Sequence, residues 1–275
     1  MSFIRAQVPG NEQHLINGKV TSLQTVVDLT DKSPYKVFYE IEPAPEDRGL
    51  IQRVIDNQAF YNLILTWRES ILQSCPNAVK FLYAGPYMIP SGDRLVIPSH
   101  VGHYTTPEPR DVGPLHTEKK FAASMIASYK DALPGHILRR GIITRLPETV
   151  GQLPIHKHSS PPHIPEVERG RLFTEFQYVI AVENCNYNNW MTEKLFDCFV
   201  ARTIPIYWGC PNLGEYFNLD GIFQVANYED VVRVLESITP DTYREKAAAI
   251  EDNFNRCVDV YCKPYRLGVI LEANL

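Results

Sequence analysis

The sequence predicts an α/β protein of two lobes, each a largely parallel sheet with helices on both sides. Three observations predict it. Short apolar runs rich in β-branched and aromatic residues alternate with stretches whose apolar residues recur at helical spacing, the pattern of βαβ units. At 275 residues the chain is long for one core and suited to two α/β domains of modest size. The stretch Phe176 to Trp208, FQYVIAVENCNYNNWMTEKLFDCFVARTIPIYW, reads as strand, polar loop, helix and strand, with its polar residues gathered at the first junction.

The first thirty residues are weakly patterned. Tyr35 to Glu42 is the first firm strand, with Val37, Tyr39 and Ile41 on one face, Phe38, Glu40 and Glu42 on the other, and Pro43 and Pro45 ending it. Leu50, Ile51, Val54 and Ile55 fall at helical spacing. Phe60 to Thr66 is a strand, Glu69 to Ser74 a short helix, and Val79 to Ala84 a third strand closed by Gly85 and Pro86. The Pro-, Gly- and Thr-rich segment from about Ile89 to His116 is the expected linker. Lys119 to Ser128 restarts the α/β pattern, and Ile137, Leu138, Ile142 and Leu146 mark a helix carrying Arg139 and Arg140. From about Pro147 to Arg171 a second irregular segment is expected, containing HKHSSPPH.

In the junction stretch, Tyr178 to Val182 is a strand ending in Glu183 and Asn184, and a helix opens around Trp190. Pro205, inside TIPIYW, removes a ladder donor and belongs at an edge, a bulge or a strand start. Gly221 to Val225 is a strand, Tyr228 to Ile238 an amphipathic helix, and Thr242 to about Tyr261 a final long helix. The expected division is residues 1–115 and 116–275, with the final helix free to pack back on the first lobe.

Apolar and charged fractions of 44% and 21% are those of an ordinary globular protein. A net charge of −5 argues against nucleic acid or an anionic membrane as partner. The six cysteines match neither a C-x-x-C pair nor a dense secreted framework. A Cys257–Cys262 bridge is open on spacing, but reduced, mostly buried thiols are expected. No window approaches the roughly 18 apolar residues of a membrane span, and MSFIRAQVPGNEQ lacks the apolar core of a signal peptide. The expected setting is cytoplasmic, with the oligomeric state open.

Several residues could carry chemistry. In open α/β sheets ligands meet strand carboxyl ends and helix amino-termini, where unpaired N–H groups point. Glu193 and Lys194, in the first turn of their helix, suit a nucleotide: a carboxylate can accept both ribose hydroxyls, and a lysine offsets a diphosphate. The competing role for Glu193 is to stabilise its own helix. Trp190 could stack on a base or staple the helix. Arg139 or Arg140 could complete a diphosphate clamp. Glu40 and Glu42, two apart on one strand face, could supply a base, their mutual repulsion raising one pKa; solvated glutamates on an edge strand are the alternative. His156, His158 and His163 lack the i, i+4 spacing of a zinc helix and read as an exposed loop. There is no G-x-G-x-x-G, P-loop, G-x-S-x-G or D-x-D motif, which argues against dehydrogenase, kinase and α/β-hydrolase readings and leaves metal-bridged diphosphate binding without an anchor.

ENCNYNNWMTEKLFDCFVARTIPIYWGCPN resembles the donor-binding motif of glycosyltransferase family ten, the α-1,3/α-1,4-fucosyltransferases: an E-N pair, a short loop, an aromatic, T-E-K, and a strand reading roughly V/I-P-I/V-x-x-G. KKFAASMIASYKDALPGHILRRGIITRL and YKVFYEIEP followed by FYNLILTW resemble its upstream segments, so the likeness covers roughly Tyr35 to Tyr228. It implies a GT-B fold with an acceptor-side amino-terminal lobe and a nucleotide-sugar site in the carboxyl-terminal one. It also implies inverting, metal-independent transfer of L-fucose from GDP-fucose to a glycan hydroxyl, with no cofactor beyond the donor. By the resemblance, Glu193 is the ribose-binding glutamate and Lys194 a diphosphate-binding lysine. Arg139 pairs with the same diphosphate, with Arg140 as the one-residue register alternative. Asn184 and Trp190 line the donor, and Glu42 is the catalytic base, with Glu40 next. Trp190 stands where members usually carry tyrosine. Two alternatives stay open: a relative using another donor such as UDP-xylose, and a catalytically silent nucleotide- or glycan-binding module.

Overall fold

A computed structural model describes residues 12–16, 19–24, 27–40, 49–82, 85–101, 104–105, 108–160, 164–262 and 266–274. The chain divides into two compact units, Met1–Tyr83 with Lys263–Leu275, and Ala84–Cys262.

The first unit is built on a five-stranded sheet of β1 (Glu12–Ile16), β2 (Lys19–Gln24), β3 (Tyr35–Tyr39), β4 (Leu63–Thr66) and β5 (Ala78–Lys80), in sequence order. The first pair is antiparallel and the rest are parallel. Alternation along the central strands sorts the core into two layers. Val37, Tyr39, Leu63 and Leu65 pack with Leu271 of α9 (Arg266–Asn274). Phe38 and Ile64 pack on the other face with Val54 of α1 (Leu50–Asp56) and Ile71 of α2 (Glu69–Ser74). A helix therefore follows the one expected to be last, and it belongs to the first unit.

The second unit begins earlier than the expected boundary at 115. The segment read as a linker holds a three-stranded antiparallel sheet, β6 (Ile89–Ser91), β7 (Arg94–Ile97) and β10 (Arg110–Pro114), with a small pair, β8 (His100–Val101) and β9 (Tyr104–Thr105). Gly92, at φ 60°, makes the tight turn between β6 and β7. Pro90 and Pro114 lie on the two outer strands, where proline is tolerated. Proline content signalled edges here, not the absence of strands.

The main sheet of this unit has six strands in the order β12 (Thr149–Val150), β13 (Leu153–Ser160), β11 (Lys120–Ser128), β14 (Phe176–Val182), β15 (Ile204–Trp208), β16 (Phe223–Gln224). All neighbours are parallel except β12 with β13. Ala123, Met125 and Ala127 pack toward α3 (Pro134–Arg145) and α6 (Tyr228–Ser237), while Ala122 and Ile126 pack toward α4 (Glu166–Thr174). Helices thus cover both faces, with α5 (Glu193–Val200) linking β14 to β15, and α7 (Thr242–Glu245) and α8 (Ala247–Val260) closing the unit.

Two expectations are corrected here. Residues 147–171 are not irregular: they carry β12, β13 and the start of α4, and HKHS is part of a strand beside the central one. His156 and His158 are therefore strand residues, not loop residues, and His163 lies outside the described residues. Pro205 sits inside β15, between two neighbours. The Tyr207 carbonyl accepts from Val225 on the β16 side and that of Trp208 from Glu183 on the β14 side. By alternation the Pro205 nitrogen faces β16, whose pairing starts only at Ile206, so no ladder bond is lost.

Candidate functional site

The carboxyl end of β14 meets the amino-terminus of α5 through a ten-residue loop whose geometry is fixed from inside. The Glu183 carboxylate, fully buried, accepts from the Thr192 backbone N–H and from its hydroxyl, both at 2.7 Å. Thr192 is the N-cap of α5, its Oγ1 accepting from Lys194 N–H at 3.4 Å. The helix therefore opens at Glu193, not around Trp190. Asn189, at φ 63°, takes up the left-handed turn, and Asn212 bonds it at 2.8 Å. On the other side α3 begins almost against the strand end: a Cβ on Gly135 would lie 1.7 Å from the Glu183 carbonyl oxygen. That approach lets the Gly135 N–H donate to the Asn184 carbonyl at 3.0 Å.

A cavity of about 270 Å³ opens at this junction. It is lined from β11 by Ser124, Ile126 and Ser128, from β14 by Val179 to Val182, from α3 by Arg139 and from α5 by Glu193 and Lys194. Glu166, Arg169, Leu172 and Phe173 of α4 complete the wall. Three cations and two carboxylates thus face one space.

Each charge is held by a named partner. Arg139, 8% exposed, donates to the Asn184 side-chain oxygen and to the Gly135 carbonyl. Lys194 Nζ lies 3.2 Å from Glu193 and 3.5 Å from Glu183. Burial pushes the Glu193 carboxyl up, but Lys194 and Arg169 outweigh it and hold its pKa at about 2. Burial lowers Lys194, and the two glutamates more than reverse this. Both are therefore charged at neutral pH. Glu183 goes the other way: burial raises it, and Lys194 does not cancel the effect. Asp197 of α5 is 1% exposed, and burial pushes its pKa up to about 7 against the opposing charge of Arg169, 3.7 Å away. Its Oδ1 also accepts from Tyr87 and Met88 N–H at 2.6 and 3.2 Å.

Of the residues singled out from the sequence, the fold brings Arg139, Glu193 and Lys194 to one cavity. Arg140 is 53% exposed and pairs with Asp131 at 3.0 Å, so the register between the two arginines is decided by burial. Asn184 does not line the cavity; its oxygen aims Arg139. Trp190 is 1% exposed and does not line the cavity. Glu42 lies outside the described residues. Glu40 is neither solvated nor on an edge strand: 3% exposed, it accepts from Thr66 at 2.6 Å and ion-pairs with Arg68. A carboxylate so engaged is a poor proton acceptor. Sequence reading missed Arg169, Glu166 and Asp197. The signal for the first two was a charged i, i+3 pair ahead of Leu172 and Phe173. Among the described residues no cluster of His, Cys, Asp and Glu suits a metal ion, and no helix is long and apolar enough to cross a membrane.

Residues 124–242, which include the cavity's β11, α3, β14 and α5 groups, match glycosyltransferase family 10 (fucosyltransferase) C-term. The match covers less than half of the chain. The chain is also similar to a putative fucosyltransferase, R654, of Acanthamoeba polyphaga mimivirus, 31% identical over 67 residues, which is 24% of this chain and 11% of that protein. An alpha-(1,3)-fucosyltransferase, FucT, of Helicobacter pylori is 26% identical over 70 residues, 26% of this chain and 15% of the relative. The matches thus span less than a fifth of either protein's length. A crystal structure of an alpha1,3-fucosyltransferase with GDP-fucose superposes with a TM-score of 0.47 at 17% identity, covering 82% of this chain and 71% of the other.

Proposed function

We propose that the chain is an inverting glycosyltransferase that moves L-fucose from GDP-fucose to a hydroxyl of a glycan acceptor without an obligatory metal. The observation that carries this reading is the convergence of Arg139, Glu193 and Lys194 on one cavity at the end of β14. The match of residues 124–242 to glycosyltransferase family 10 supports the same reaction class.

In this reading the ionised Glu193 carboxylate accepts the ribose hydroxyls, and its low pKa keeps it an acceptor throughout the working range. Arg139 and Lys194 flank the diphosphate. As the bond from the anomeric carbon to the phosphate oxygen breaks, negative charge grows on the leaving nucleoside diphosphate, and fixed cations stabilise it more than they stabilise the intact donor. Asn184 keeps the Arg139 guanidinium aimed, which spares reorganisation at that moment. The acceptor hydroxyl attacks from the opposite face and gives its proton to a carboxylate base. Glu42 fills that role in the proposal, because Glu40 is already committed to Thr66 and Arg68.

Thermal-shift and calorimetric titration with GDP, GDP-fucose and UDP-xylose, with and without EDTA, tests the reading. Stabilisation by GDP and GDP-fucose that survives EDTA is expected. Stabilisation by no nucleotide sinks the enzyme reading, and a preference for UDP-xylose replaces the donor.

A further inference from the structure

The groups that suit a sugar diphosphate occupy only part of the cavity. Its α4 wall carries Glu166 and Arg169, three residues apart and so on one face of the helix. Around them the lining is apolar: Ile126, Ile164, Leu172 and Phe173. Apolar walls beside a carboxylate and a guanidinium suit a flat heterocycle that shows acceptors and donors along one edge.

Both side chains are held in place. Arg110 Nη1 ion-pairs with Glu166 Oε2. The Arg169 guanidinium lies 4.1 Å from the centre of the Tyr87 ring and 3.7 Å from Asp197. Asp197 in turn fastens the Tyr87 and Met88 backbone. A pair so positioned in the empty protein needs little ordering when a ligand arrives.

We infer that Glu166 and Arg169 read the nucleobase of the donor and select guanine, an inference that rests on the nucleotide-sugar reading above. Guanine presents N7 and O6 as acceptors and its N2 amino group as a donor, with N1–H between O6 and N2. The Arg169 guanidinium donates to O6 and N7, as arginine does wherever it reads guanine. The Glu166 carboxylate accepts from N1–H and the N2 amino group. Adenine sets its N6 amino group against the guanidinium, donor to donor. Uracil offers one N–H between two carbonyls, so it satisfies one arm of the carboxylate at most. Glu166 and Arg169 are half-buried, and a site that holds such polar groups in place disfavours a base that leaves them unpaired.

The test is calorimetric titration of the full chain with GDP, IDP, ADP and UDP, for the wild type and for Glu166→Gln, Arg169→Ala, Arg169→Lys and Lys194→Ala. The wild type is expected to prefer GDP over UDP and ADP by at least about 10-fold. Arg169→Ala is expected to lose most of that ratio, and Arg169→Lys to recover little, because an ammonium cannot bridge O6 and N7. IDP lacks the N2 amino group, so Glu166→Gln is expected to bring GDP and IDP to equal affinity. Lys194→Ala is expected to weaken GDP and UDP alike and leave their ratio unchanged. Ratios taken on one sample are insensitive to its folded fraction, so a destabilised variant still answers. If Lys194→Ala behaves as expected while the Glu166 and Arg169 variants keep the wild-type ratios, the base-reading role is overturned and the donor reading stands. If the wild type binds no nucleotide, both fall.

Discussion

Lys194→Ala separates what holds the junction together from what it holds. Lys194 Nζ lies 3.5 Å from Glu183 Oε2, a carboxylate with no exposure at all. At an effective dielectric of about 20, unit charges 3.5 Å apart attract by about 5 kcal/mol, offset by the desolvation both have suffered. Removing one partner of a buried pair costs about 3–5 kcal/mol. Lys194 keeps a quarter of its side chain exposed, so the low end, about 3 kcal/mol, is expected. Glu183 can escape part of this by protonating. Its pKa is already raised by burial, and deleting the opposing ammonium raises it further. A raised carboxyl contributes stability that is fully present below its unfolded pKa and lost as pH rises through the folded value. The deficit of Lys194→Ala should therefore grow as pH rises above the ordinary carboxylate range. Glu183→Gln in the same background, which removes the stranded charge, should restore most of it at pH 8. Nucleotide binding should behave differently: Lys194→Ala weakens GDP by about 10–100-fold, the size of a charge-assisted hydrogen bond, and the second substitution does not repair it. Urea denaturation from pH 5 to 8 and GDP calorimetry on the four proteins measure both. A deficit that is flat with pH and indifferent to Glu183→Gln would falsify the ion-pair account, and recovery of GDP binding in the double variant would show that Lys194 acts only through the fold.

Three further outcomes are expected. Arg139→Ala should weaken GDP by about 10–100-fold in calorimetry, whereas Arg140→Ala, at an exposed ion pair, should stay within about twofold. Asp197→Asn keeps an acceptor for Tyr87 and Met88 but cannot ionise. Since burial raises Asp197 to about 7, wild type should lose stability relative to the variant as pH rises, by up to about 1.4 kcal/mol per pH unit between pH 4 and 7, and parallel unfolding curves over that range refute the shift. Gly135→Ala places a methyl 1.7 Å from the Glu183 carbonyl, so α3 cannot seat. Circular dichroism melts should show a loss of more than about 3 kcal/mol, above the range of about 0.5–3 kcal/mol that covers most substitutions.

Where the chemistry of a segment is dominated by its hydrophobic period, the sequence was a sound guide. The strand of Tyr178 to Val182, the α5 stripe, and the helices from Leu50, Glu69 and Tyr228 all emerge within a few residues of expectation. Arg139, Glu193 and Lys194 meet in the cavity because they flank strand ends in a parallel sheet, a placement that topology imposes. Trp190 was harder to place. A large aromatic before a helix packs equally well as a staple or as a ligand platform, and its burial becomes visible only in the folded chain. Glu40 likewise needed Thr66 and Arg68, 26 and 28 residues away, before its commitment was visible.

Proline misled in two places for one reason. In residues 89–116 and 147–171 it was taken as punctuation of irregular chain, yet each proline within an element sits where a missing N–H is harmless. Pro90 and Pro114 lie on outer strands. Ile155 N–H bonds the Glu148 carbonyl on the β12 side, so the Pro154 nitrogen faces the β11 side, where pairing starts only at Ile155, and Pro165 precedes the first turn of α4, whose N–H groups have no helical partner in any case. Removing those false stops restores a helix reading E-V-E-R-G-R-L-F, in which Glu166, Arg169, Leu172 and Phe173 share a face. Charges on the face that also buries leucine and phenylalanine are expensive to keep there unless something repays their desolvation. Arg110 and Asp197 repay part of it within the unit. Both side chains still line a cavity, beside groups suited to a sugar diphosphate, which favours α4 over the histidines of β13 for the base-reading role.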